Sequence, residues 1–86
     1  MTYKRAHRVP WRVVEGKAVL ISVRNSEVMV LNEIGTEIWT FLDRKRSRDD
    51  IVEHLFSKFD AERTAIENDV DSFLDNMREK EIVDVG

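Results

Sequence analysis

Asp50 and His54 stand four residues apart, a spacing that sets two metal ligands on one face of a helix. A zinc site or a general base could start from such a pair. His54, however, falls off the apolar stripe of Ile51 and Leu55, and no third ligand lies close in sequence. It reads as an exposed surface histidine. The other histidine, His7, lies in a basic segment near the N-terminus. Glu67, Asp69, Asp71 and Asp75 scatter around a helix and describe a solvated face. There is no cysteine to act as nucleophile, disulfide partner or zinc ligand, and no P-loop, glycine-rich phosphate cradle or nucleophile elbow. These residue types predict a protein that is not an enzyme and that uses neither metal nor cofactor.

The elements explain why so little chemistry is present. Trp11–Val14 (WRVV), Ala18–Val23 (AVLISV) and Val28–Leu31 (VMVL) are rich in β-branched residues and read as strands. Gly16 suits a tight hairpin between the first two, and Asn25 and Ser26 are turn residues between the next two. Short connections make neighbouring strands antiparallel, so the three form a meander whose third strand, Val28–Leu31, is an edge. Asn32 follows as a helix N-cap, with Ile34, Ile38, Trp39, Phe41 and Leu42 on the buried side. Gly35 inside that helix costs about 1 kcal/mol relative to alanine, which a close approach by another backbone would explain. Ser47 and Asp50 form a capping box before the stripe Ile51, Val52, Leu55, Phe56 and Phe59. Thr64 and Glu67 read as a second box, before Ile66, Val70, Phe73, Leu74 and Met77. Ile82 and Val83 close the chain as a short apolar tail. The fold expected is α+β and winged-helix-like: a three-stranded antiparallel β-meander followed by three α-helices.

With 86 residues, 42% of them apolar, the chain suffices for one domain with one core. No h-region or membrane span is visible, so a cytoplasmic protein is expected, without membrane contact. The net charge of −3 conceals an asymmetry. Residues 1–17 carry five Lys/Arg against one acid, whereas 49–86 carry four against twelve. Residues 1–10 therefore stand apart as a basic arm before a single domain over 11–86. In a winged-helix DNA binder the third helix enters the major groove and should be basic. Here Glu62–Glu81 holds seven acids against three bases, which repels phosphates, and nucleic acid is not an expected partner.

The runs VLNEIGTEIWTFLD (30–43), SRDDIVEHLFSKFD (47–60) and DVDSFLDNMREKEIV (69–83) together resemble the PqqD-like family. That family includes the small protein of pyrroloquinoline quinone biosynthesis and the recognition domains for precursors of ribosomally made, modified peptides. The resemblance covers about Trp11–Val83. It departs in the loops, where Arg44 follows Asp43, Ser47 stands in place of a threonine, and Lys80-Glu81-Ile82 replaces a Lys-Gly-hydrophobic turn. It implies a non-catalytic chaperone that holds a leader peptide and presents it to a modifying enzyme, commonly a radical-SAM protein. In such a domain the leader adds as a strand to the third strand, beside the third helix. By position, the implied peptide-binding residues are Val28, Met29, Val30 and Leu31 on the strand and Asp69, Phe73 and Asn76 on the helix. The same edge would also suit a homodimer or docking on another protein, and a winged-helix DNA binder stands as a third reading.

Overall fold

The computed structural model describes residues 1–86. In chain order the elements are β1 (Thr2–Arg5), β2 (Trp11–Val14), β3 (Lys17–Ile21), β4 (Val28–Val30), α1 (Glu33–Phe41), β5 (Arg46–Ser47), α2 (Arg48–Lys58), α3 (Arg63–Glu79) and β6 (Val83–Val85). The α+β class and the meander are as the sequence predicts, with β2, β3 and β4 antiparallel in that order. Glu15 and Gly16 both take positive φ, 51° and 79°, between β2 and β3. That is the pattern of a type I′ turn, whose twist matches the strands it joins.

A second sheet, absent from the expected order, pairs β5, β1 and β6. The basic segment 1–10 supplies its central strand: Tyr3 lies opposite both Arg46 and Val85, and Arg5 opposite Val83. Thr2 and Gly86 exchange backbone hydrogen bonds of 3.0 and 2.8 Å, and Ala6 donates to the Ile82 carbonyl at 2.9 Å. The expected apolar tail is thus a folded strand, and Ile82 and Val83 are buried in the core.

Seventeen apolar side chains form one core around the fully buried Trp39, against which Trp11 packs edge-on at 5.9 Å. Asn32 caps α1 by accepting from Gly35 N, and Ser47 and Asp50 complete the capping box of α2. Other expectations are corrected. Helix α3 begins two residues earlier than the Thr64 box requires, with Glu62 at its N-cap and no side-chain cap bond. Phe56 lies 45% exposed instead of on the buried stripe. His54 is not a free surface residue: it stacks on Phe41 at 3.9 Å, and its Nε2 lies 2.9 Å from Glu37 Oε1. Lys58 donates to the same oxygen, so this cluster ties α1 to α2. Burial opposes ionisation of Glu37, but hydrogen bonds from Lys58 and His54 outweigh it and hold its pKa below the usual value. Asp50 is engaged in its cap, and no three His, Asp or Glu side chains gather as metal ligands.

Candidate functional site

Register decides what the β4 edge offers. Ser22 N donates to Glu27 O, and Leu31 N to Ala18 O, each bracketing the pairs Ile21–Val28, Leu20–Met29 and Val19–Val30. In an antiparallel ladder, bonded and non-bonded pairs alternate. Met29 therefore bonds inward to Leu20, while the N–H and C=O of Val28 and Val30 point outward. Four backbone groups, two donors and two acceptors, line the free edge. The side chains alternate as well: Val28 and Val30 are 61% and 63% exposed, Met29 packs against the core and Leu31 is buried within it.

Beyond this edge the chain turns at Asn32 into α1. An open cavity of about 220 Å³ lies there, lined by Asn32, Ile34, Gly35 and Ile38 from the start of α1 and by Asp69, Ser72 and Phe73 from α3. Gly35 lies on its wall, where a side chain would crowd the Leu31–Asn32 turn more than it would α3. A Cβ at that position would stand 3.2 Å from Asn32 Oδ1, 3.3 Å from Leu31 Cβ and 3.5 Å from Phe73 Cε2. The close neighbours are side chains, not the backbone expected from the sequence.

The seven residues chosen from sequence divide accordingly. Val28 and Val30 present the edge, and Asp69 and Phe73 form the α3 wall of the cavity. Met29 and Leu31 direct their backbone bonds and side chains inward, and Asn76 is exposed on α3 outside the cavity lining. Ser72 and Ile34 were missed, because the phase of each helix against its neighbour is not written in either helix's own pattern. Asn32 and Gly35 did carry signals, as a cap and as a glycine inside a helix.

Asp69 and Glu33 have no ion-pair partner, whereas Lys80 is paired with Glu27 at 3.2 Å and Arg63 with Glu53 and Glu67. The unpaired charge beside the cavity is negative. On the far side of α3, Asp71 accepts two hydrogen bonds from Arg48, at 2.7 and 3.1 Å. Those bonds lower the Asp71 pKa and raise that of Arg48.

The family model for coenzyme PQQ synthesis protein D (PqqD) matches residues 17–83, from β3 to the start of β6. The chain belongs to the PqqD family. Solved structures share the fold of this PqqD-family chain. TbiB1, in complex with the TbiA(beta) leader peptide, is 22% identical, with 96% of each chain covered and a TM-score of 0.84. A lasso peptide synthetase B1 complexed with the leader peptide is also 22% identical, over 96% of this chain and 98% of that one, with a TM-score of 0.80. The PqqD truncation of Methylobacterium extorquens PqqCD, described as a recognition element for ribosomally synthesised and post-translationally modified peptides, is 20% identical. It covers 98% of this chain and 89% of its own, with a TM-score of 0.77. No curated protein matches the sequence.

Proposed function

We propose that this PqqD-family chain is a non-catalytic chaperone for a precursor peptide. It takes up the leader as an added strand on β4 and presents it, in the cytoplasm, to a peptide-modifying enzyme of the radical-SAM type. One observation carries the reading: the outward-facing groups of Val28 and Val30 lie on the strand that leads, through Leu31, to Asn32 on the wall of a cavity between α1 and α3. Two of the fold neighbours are complexes with leader peptides, which supports the same use of the fold here.

Magnitudes assign the parts. Four backbone hydrogen bonds contribute about 0.5–1.5 kcal/mol net each. Micromolar affinity requires about 8 kcal/mol, and ordering the peptide raises the gross interaction needed. The edge gives orientation but not enough affinity. An apolar leader side chain buried against Ile34 and Phe73 adds about 1.5–3 kcal/mol, and Asp69 favours a cation beside it.

The test is an NMR titration of labelled protein with leader peptides encoded near its gene. Shifts at Val28–Leu31 and along Asp69–Asn76 are expected. No response to any leader, with Val28 and Val30 amides already protected from exchange in dilute protein, would show the edge occupied by a second copy and end the chaperone reading.

A further inference from the structure

A second cavity, also about 220 Å³, lies at the opposite end of α1. Along α1 the first cavity is lined from Asn32 to Ile38, and the second begins at Leu42. The walls of the second include Lys4, Arg5, His7, Trp11, Leu42 and Asp43.

Arg5 is the fixed point of this notch. Its Nη1 donates to the carbonyls of Trp39 and Thr40, both at 3.1 Å, in the last turn of α1. Its guanidinium lies 4.8 Å from the Trp11 ring centroid and 5.8 Å from that of Trp39. These contacts hold the guanidinium plane in place, while Nε and Nη2 donate to no group of the protein. The unused pair has the fork geometry that binds a carboxylate through two parallel hydrogen bonds.

The notch holds one acid, Asp43, whose charge partly balances Arg5 but which makes no hydrogen bond to that fork; its Oδ1 accepts from Arg46 at 3.1 Å. Lys4, Arg44 and Lys45 make no ion pair; Asp84, opposite Lys4 on β6, pairs with Arg8. A partly buried guanidinium among cations favours a carboxylate from outside. Trp11, 38% exposed, favours one borne by an apolar segment over a bare inorganic anion.

We propose that this notch is a second binding site, which takes a carboxylate-bearing peptide segment of a partner protein, the carboxylate on Arg5 and a neighbouring apolar side chain against Trp11. The site is independent of leader binding at β4. It would let one small domain hold two chains at once, one at each end of α1.

The probe is acetyl-Ala-Glu-Leu-Asp-Ala-amide, titrated into labelled protein at low salt and followed by amide and indole resonances. The acidic peptide should move Arg5, His7 and the Trp11 indole, with the Gln/Asn analogue about tenfold weaker or worse. Lys4→Glu, an exposed change outside the core, should weaken the acidic peptide several-fold, and Arg5→Lys, which keeps charge but removes the fork, should weaken it further. Equal binding of the neutral analogue, shifts confined to Val28–Val30, or full reproduction of the response by inorganic phosphate or a DNA duplex would each overturn the proposal.

Discussion

The two sheets are both three-stranded and antiparallel, yet they are built from opposite kinds of contact. The meander pairs strands separated by a two-residue turn and a short loop, and its strands give the core around Trp39 only Ala18 and Leu20, with Met29 packed against it. The second sheet pairs Thr2 with Ser47 and Arg5 with Val83, joining the chain's beginning, middle and end. The first leaves an edge open with two unpaired residues. The second closes the fold and leaves Ile82 and Val83 inside it. A local sheet can keep an edge available for an added strand because stability is secured elsewhere, by contacts that span the sequence.

The largest test of this contrast is Ile82→Ala against Val14→Ala. Ile82 is 1% exposed where the chain enters β6, so truncation should cost about 2–5 kcal/mol in urea unfolding. Val14, on the outer face of the meander, is 42% exposed and should change stability by less than about 0.5 kcal/mol. Equal losses would break the comparison.

Next in size is the proline pair on β4. Val30→Pro removes an outward-facing donor that the β3–β4 ladder does not use, and edge strands tolerate proline there. Leader affinity, measured by calorimetry, should fall about tenfold, equivalent to about 1.4 kcal/mol, with the fold retained. Met29→Pro removes a ladder bond and should destabilise the domain itself. The reverse pattern would mean that the register is shifted by one.

Smaller effects sharpen the account of the helices. Ser47, whose side chain accepts from Asp50 N, joins β5 to α2, and Ser47→Ala should cost about 1 kcal/mol. Thr64→Ala removes no cap bond and should stay within about 0.5 kcal/mol. The smallest effect is in pH. Glu37 and Asp71 both have folded pKa values below their ordinary 4.5 and 3.8. Their contribution is fully present above those values and is lost as pH falls through the lower folded ones. Stability from these groups should be flat between pH 7 and about 5 and then decline, and Glu37→Gln should flatten the decline.

Sequence patterns were sufficient at most points where neighbours in the chain decide the outcome, the Thr64 box being the exception. The hairpin at Gly16, the Asn32 cap, the Ser47 box and the apolar stripe of α3 are local devices. Val28–Leu31 could be read as an edge because short loops force adjacent strands together. His54 could not be placed, because its partners Glu37 and Phe41 lie on another helix.

The sequence by itself determined the strand order of the meander, the three helices and the family, since turn chemistry, capping and periodicity act within a few residues. Tertiary structure alone decided which backbone groups of β4 face outward, how Gly35 and Phe73 frame one cavity, and that the basic N-terminus becomes a central strand. Those outcomes depend on register, helix phase and pairings across most of the chain, where many separate contacts compete and no short pattern records which arrangement buries the most.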